Sequence, residues 1–161
     1  MTTAVKIKTL LKTSLNSGGQ KIAYPRGGRA ELTALYIEIA PGQETGWHKH
    51  PVPHFGYILS GSITVEGADG KKRTYRQGDA AAETVNLLHN GVNRGKKPVK
   101  ILVFVAGKKN IPITIKAKQP SSRAEVSRKG SFATKAIRTA VEGYSRDYRK
   151  VKKVAERAGS T

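Results

Sequence analysis

Residues 42–61, GQETGWHKHPVPHFGYILSG, contain three of the four histidines of the chain within seven positions. Because His48, His50 and His54 share the same parity, a single extended strand through them would present all three imidazoles on one face. Neutral imidazole is the commonest protein ligand for divalent transition metals. The two prolines between His50 and His54 would interrupt such a strand, and a polar rim at a strand end is the simpler alternative. The in-phase histidines nevertheless favour a metal site.

On both sides of this stretch the sequence has the pattern of short β-strands. Apolar and polar residues alternate over 31–39 and 61–66, as they do in half-buried strands. The sequence GADG at 67–70 suits a tight hairpin turn. The run at 99–105 is apolar on nearly both faces, which predicts an interior strand, whereas the proline within 111–115 suits a sheet edge. Short strands separated by Gly, Pro and Asp turns predict an all-β sandwich or barrel.

The spacing of glycines, histidines and one asparagine resembles the two signatures of the cupin superfamily. The first signature is a glycine, five residues, His-x-His, three or four residues, a glutamate, six residues and a glycine. The second is a glycine, five residues, Pro-x-Gly, two residues, a histidine, three residues and an asparagine. The positions in register are Gly42, His48, His50, Gly61, Gly78, His89 and Asn93. The chain departs from the signatures at His54, where the glutamate stands, and at Thr84 and Asn86, which replace the proline and glycine.

Over about residues 7–117 the chain is most similar to small single-domain bacterial cupins with a cupin-2 type conserved barrel. The resemblance implies an antiparallel jelly-roll barrel of six to ten strands, often dimeric, with a divalent metal inside it. Carried over by position, the metal ligands are His48, His50 and His89, with His54 in the place of the carboxylate. If His54 points away, Glu44, Glu83 or water completes the ligand set. Such a site suits a divalent transition metal: Zn, Fe, Ni, Mn or Cu.

A metal with an open position can bind the oxygens of a substrate, polarise a carbonyl, or activate water or O₂. The expected function is therefore action on a small oxygen-rich organic molecule, by dioxygenase-like, isomerase or lyase chemistry. The alternative is a barrel that binds a metal or small ligand without catalysis. Candidate pocket residues are Trp47, Tyr57 and Asn93. Each also has a structural interpretation: packing at the barrel mouth, packing on the other strand face, and loop stabilisation, respectively.

Composition narrows these possibilities. The chain has 161 residues, of which 37% are hydrophobic, enough for one core of roughly 100–120 residues. The absence of cysteine excludes disulfides, cysteine zinc sites, iron–sulfur clusters and thiol catalysis. The sequence has no apolar run of transmembrane length, and lysines interrupt its N-terminal residues where a secretory signal would be apolar. We therefore expect a cytoplasmic protein.

The composition changes near residue 119, which divides the chain into a predicted cupin barrel (1–118) and a basic C-terminal extension (119–161). The net charge of the chain is +19, and the extension carries 11 basic and 4 acidic residues. Apolar residues spaced by three and four over 132–158 predict an amphipathic helix with Lys and Arg on its other face. Nucleic acid or an anionic membrane could dock on the extension. A solvated helix or a disordered tail is favoured over that docking role.

Overall fold

A computed structural model describes residues 5–120, and within that range the chain forms nine β-strands in two sheets and no helix. The strands are β1 (Ala30–Ile39), β2 (His48–Lys49), β3 (His54–Ser60), β4 (Ser62–Gly67), β5 (Lys72–Arg76), β6 (Ala80–Ala82), β7 (His89–Val92), β8 (Val99–Lys108) and β9 (Ile115–Lys116). The four-stranded sheet has the order β1-β8-β3-β6, and the five-stranded sheet has the order β5-β4-β7-β2-β9. Every ladder between these strands is antiparallel. The predicted antiparallel all-β barrel is confirmed.

Strand β8 lies between β1 and β3, the interior position that its apolar sequence predicts. Its odd-numbered side chains point between the sheets, and Val99 and Val105 are completely buried. Its even-numbered side chains face outward, where Phe104 is 44% exposed. The apolar outer face of the four-stranded sheet is therefore open to solvent, a feature that the sequence pattern alone does not reveal.

The hydrophobic core lies between the two sheets and consists mainly of β-branched side chains. These side chains suit a pleated surface because their stiff χ1 torsions lose little freedom there. Burying each of them stabilises the fold by about 1.5–3 kcal/mol relative to leaving it exposed. The buried cluster is Ile39, Val52, Ile58, Ile63, Val99, Ile101, Val103 and Val105.

The histidine-rich stretch does not form one strand, so its three imidazoles do not share a single strand face; the interruption lies at the two prolines that the sequence places there. β2 ends at Lys49 and belongs to the five-stranded sheet, whereas β3 begins at His54 and belongs to the four-stranded sheet. Pro51 and Pro53 cause the break, because proline has no N–H to donate to a ladder. The chain crosses from one sheet to the other at this point, and its histidines approach the barrel interior from both sheets.

The predicted hairpin turn lies where it was expected, whereas the predicted last strand differs in length. The β4–β5 hairpin closes at 67–70, where the N–H of Gly67 donates to the carbonyl of Lys71 at 2.8 Å. The edge strand predicted over 111–115 is shorter than expected. β9 begins only at Ile115, after Pro112, although it does lie at the edge of its sheet.

The predicted C-terminal extension falls outside the described residues apart from its first two positions. The amphipathic helix predicted over 132–158 therefore stays a prediction, as does the domain boundary at 118/119. No helix that could cross a membrane is found within residues 5–120.

Candidate metal centre

Four buried imidazoles meet at one end of the space between the sheets. His48 on β2 lies directly opposite His89 on β7, and their ring centroids are 4.4 Å apart. His50 follows β2, with its ring centroid 4.8 Å from that of His48 and 5.0 Å from that of His89. His54, the first residue of β3, stacks on His50 at 3.7 Å. The fold thus brings together all four histidines predicted as ligands.

Each of these rings is held through its Nδ1 atom by a backbone carbonyl oxygen. The pairs are His48 with Gly46 (2.7 Å), His50 with Ile113 (3.0 Å), His54 with Val52 (2.9 Å) and His89 with Leu87 (2.9 Å). A carbonyl oxygen can only accept a hydrogen bond, so each Nδ1 carries the ring proton. The Nε2 atoms are therefore the ones available to a metal, and the carbonyls fix both the tautomer and the orientation of the rings.

Three of the histidines lie close enough together to hold a cation. One ligand nitrogen from each of His48, His50 and His89 lies within 4.8 Å of the other two, so these three residues could hold a metal ion. The Nε2 atoms of His54 and His89 are buried and have no hydrogen-bond partner among the described residues. A buried polar atom without a partner is costly, and a bound cation would satisfy both. His54 stands at the side of the three-histidine group, so its role as a ligand stays a prediction.

Glu83 is the carboxylate that reaches these histidines. Its Oε2 atom lies 3.2 Å from Nε2 of His50 and 3.8 Å from Nε2 of His89. Because Nδ1 of His50 already carries the ring proton, this contact is favourable only with a proton or a metal cation between the two atoms. Glu44, the other carboxylate considered from sequence, is exposed and accepts a hydrogen bond from Asn90 at 2.9 Å. Glu83 and not Glu44 is therefore the acidic neighbour of the site.

The backbone around Glu83 is held by the N-terminal segment. The N–H of Ser17 donates to the carbonyl of Ala82 at 2.8 Å, and the side-chain amide of Gln20 makes two hydrogen bonds of 3.0 Å to the backbone of Val85. The N–H of Glu83 itself donates to the carbonyl of His54 at 2.9 Å. The sequence signal for Glu83 was weak, because it is a single acid within an Ala- and Leu-rich run. Nothing in the sequence pointed to the supporting role of Gln20.

Burial lowers the pKa of three of the four imidazoles. Removal from water is the largest cause for His48, His54 and His89, and it lowers the pKa of His89 from 6.5 to about 4. For Glu83, burial alone would raise the pKa of the carboxyl group, but the hydrogen bond and charge of His50 lower it overall. These three imidazoles are therefore neutral at pH 7, the state that metal binding requires.

The metal-free protein is expected to lose stability in mild acid. Because the folded-state pKa values of these histidines lie below that of an unfolded chain, the unfolded chain binds more protons once the pH falls through 6.5. The free energy of unfolding should therefore fall between about pH 6.5 and pH 4, with His89 alone contributing on the order of 3 kcal/mol. Urea unfolding of chelator-treated protein across this range measures the effect. If the His89→Gln variant lost as much unfolding free energy as the natural protein between these pH values, the prediction would be contradicted.

None of the three predicted pocket residues lines the cavity beside the histidines, within the part of the chain that the structure describes. Trp47 is half-buried, and its carbonyl accepts a hydrogen bond from the N–H of Ala117. Tyr57 lies on the outer face of the four-stranded sheet, opposite Leu102, because its parity differs from that of Ile58, which points inward. Tyr57 thus lies outside the cavity, and the packing roles of Trp47 and Tyr57 stay predictions.

Asn93 is completely buried and uses its side chain to hold a loop. Its Nδ2 atom donates to the carbonyls of Ile39 (2.8 Å) and Lys97 (2.9 Å), and its Oδ1 atom accepts from the N–H of Gly95 (2.9 Å). We expect Asn93→Ala to lower the free energy of unfolding by about 2–4 kcal/mol, because it leaves several buried backbone groups unpaired. Metal affinity should not change. A variant of normal stability with weakened metal binding would instead place Asn93 in the site.

Comparisons with known proteins agree with this architecture. A model of the cupin domain matches residues 35–105. A segment of 48 residues is 33% identical to the Oryzines biosynthesis cluster protein J of Aspergillus oryzae, and it covers 30% of this chain and 27% of that protein. The match thus spans about a quarter of the length of the curated relative.

Three solved structures of different description match part of this chain. An uncharacterised conserved protein with a double-stranded β-helix domain from Klebsiella pneumoniae is 21% identical, with a TM-score of 0.48, over 58% of this chain and 89% of that one. The DMSP lyase DddQ from Ruegeria pomeroyi is 19% identical, with a TM-score of 0.49, over 56% and 45% of the two chains. An oxalate oxidase in complex with glycolate is 22% identical, with a TM-score of 0.46, over 52% and 45%.

The matched family region contains β2 to β7, half of β1, most of β8, and all four histidines of the site. The two antiparallel sheets around them have the architecture that the family signatures imply. Residues 35–105 therefore lie in a small cupin-type domain.

Proposed function

We propose that this protein is a metal-dependent cupin enzyme that acts on a small organic molecule bound beside His48, His50, His54 and His89. The observation that carries the proposal is the uniform use of Nδ1. All four rings donate from this atom to a backbone carbonyl, which leaves their Nε2 atoms free to bind a divalent transition metal. Histidines that only filled a polar core would not need the same tautomer at every position.

The residues at this site would have three different roles. The imidazoles hold a divalent ion, which supplies a Lewis acid that polarises an oxygen of the substrate or activates water or O₂. Glu83, within hydrogen-bond reach of His50, is placed to accept or return a proton at the substrate. The surrounding aliphatic walls exclude water from the polar end of the cavity. Oxygenation, isomerisation and elimination all use these elements.

Metal content and turnover test this proposal together. Chelator-treated full-length protein is reloaded separately with Zn²⁺, Fe²⁺, Ni²⁺, Mn²⁺ and Cu²⁺, and the retained metal is measured by elemental analysis. We expect close to one ion per chain for at least one metal. Turnover of candidate substrates under air and under nitrogen then separates oxygenase from isomerase or lyase chemistry. Failure to retain any of the five metals would overturn the proposal, and a metal-loaded protein without turnover would favour the non-catalytic binding alternative.

We also propose that two copies associate through the outer face of the four-stranded sheet. Leu32 is 74%, Tyr36 58% and Phe104 44% exposed on this face, and exposed apolar clusters of this kind commonly mark interaction sites. Two chains of net charge +19 need a contact of low charge, and Lys100 on this face lies 4.0 Å from Glu38. Sedimentation equilibrium should give the mass of a dimer for the natural chain and of a monomer for Leu32→Lys with Phe104→Lys. A monomeric natural chain would contradict this.

A further inference from the structure

The cavity beside the histidines has an unusual division between a polar end and aliphatic walls. Its volume is about 230 Å³. Branched aliphatic side chains from both sheets form most of the wall, including Leu35, Ile37, Ile58, Ile63, Ile101 and Val103. Such a surface offers no hydrogen bond to a ligand, so polar atoms placed against it would lose their contacts with water and gain nothing in return.

The charged groups of the lining are few. Apart from the histidines, Glu83 and Lys116 are the ionisable side chains of opposite charge that border the cavity within the described residues. A divalent ion held by neutral imidazoles beside one carboxylate leaves a single positive charge at this end. Lys116 lies on β9, directly opposite His48 in the ladder, and its exposed position attracts anions toward the same end. This end of the cavity therefore carries a net positive charge, which favours an anionic head group on the ligand.

From these features we infer that the ligand of this cavity is a small monocarboxylate with an apolar body. This inference rests on the proposed metal site, because the carboxylate would bind at the metal while the hydrocarbon part lies against the aliphatic walls. The cavity is smaller than the roughly 300–1,000 Å³ typical of drug-sized ligands, which limits the body to a short chain or a single ring.

This ligand class differs from the oxygen-rich molecule that the sequence predicts. A molecule with several hydroxyl or carboxylate groups needs several donors around it. Away from the ionisable end, the described lining offers only the hydroxyl groups of Thr45, Tyr75 and Thr114, and most of the remaining lining side chains are aliphatic. The resemblance to other cupins concerns the metal ligands and turns, and it carries no information about these wall positions. These wall positions come together only because the two sheets face each other.

A homologous series of carboxylates tests the inference. Calorimetry with Zn²⁺-loaded full-length protein compares acetate, butyrate and hexanoate with oxalate and malonate. Each methylene buried against the wall should tighten binding by about fourfold until the cavity is full. The dicarboxylates should bind no more tightly than acetate. An affinity that does not change with chain length, or tighter binding of oxalate than of hexanoate, would overturn the inference.

Two further arms separate this inference from the metal proposal. In metal-free protein the series should keep its dependence on chain length, because that dependence arises from the walls, while all affinities fall. Loss of metal binding with a preserved chain-length dependence would refute only the metal site. Leu35→Gln, at a half-buried wall position, should flatten the series, whereas Leu59→Gln, at an exposed position outside the cavity, should not. Equal slopes in the two variants would overturn the assignment of the wall.

Discussion

Replacing His48 and His50 together with alanine is expected to weaken Zn²⁺ binding by roughly 10³- to 10⁴-fold. Structural zinc sites bind with about 10–16 kcal/mol, so each of four ligands contributes roughly 3 kcal/mol, or about a hundredfold in affinity. These two residues lie on either side of Lys49 and supply two nitrogen atoms of the three-histidine group. Competition with a chromophoric chelator measures the change in the dissociation constant.

Single variants identify which neighbours belong to the ligand set. Glu44→Gln is the matched control, because this carboxylate is exposed and hydrogen-bonded to Asn90. The Glu44→Gln variant should bind Zn²⁺ as tightly as the natural protein does. His54→Ala should weaken binding by about a hundredfold if its buried Nε2 atom joins the metal. A double His48 and His50 variant with the affinity of the natural protein would contradict the metal site.

Gly61→Ala is expected to be the most destabilising of the glycine substitutions in the two signature motifs. Gly61 adopts φ = 74°, and an added Cβ atom would lie 2.8 Å from the carbonyl oxygen of Pro98 and 3.0 Å from Cα of Val99. The left-handed conformation costs a residue with a Cβ about 1–2 kcal/mol, and the contact with rigid backbone adds about 1–3 kcal/mol. Urea unfolding should show a total loss of about 2–5 kcal/mol.

Gly42 provides a matched control for that substitution. It has almost the same backbone angle, φ = 73°, but an added Cβ atom would have no neighbour within 4 Å. Gly42→Ala should therefore cost only the conformational part, about 1–2 kcal/mol. Equal losses in the two variants would mean that the close approach to Pro98 does not matter.

Much of the fold could be predicted from the sequence, because strands and tight turns depend on patterns among residues that are close together in the chain. The alternation over 31–39 and 61–66, and the Asp-Gly turn between β4 and β5, depend on neighbouring residues and were predicted correctly. The interior position of β8 follows from its apolar sequence. The register of the histidine-rich stretch could not be predicted in this way, since the effect of Pro51 and Pro53 depends on which sheet each flanking strand joins.

The candidate site could be predicted only in part, because some of its contacts join residues that are far apart in the sequence. The spacing of the family signatures identified His48, His50 and His89, whose ligand atoms the fold brings within 4.8 Å of one another. The hydrogen bond from Nδ1 of His50 to the carbonyl of Ile113 joins residues 63 positions apart, and no local pattern reveals it. The same is true of Glu83, whose contact with His50 arises from the meeting of the two sheets.

X-ray absorption spectroscopy of the Zn²⁺-loaded, tag-free full chain tests the metal site most directly, because it counts the imidazoles bound to the ion. The group of His48, His50 and His89 predicts three imidazole nitrogens around one zinc ion, and His54 adds a fourth if its free Nε2 atom joins them. A count of three, unchanged in His54→Ala, would remove His54 from the ligand set and leave His48, His50 and His89. A spectrum with two or fewer imidazoles, or with zinc bound only to light non-histidine ligands, would contradict the metal centre.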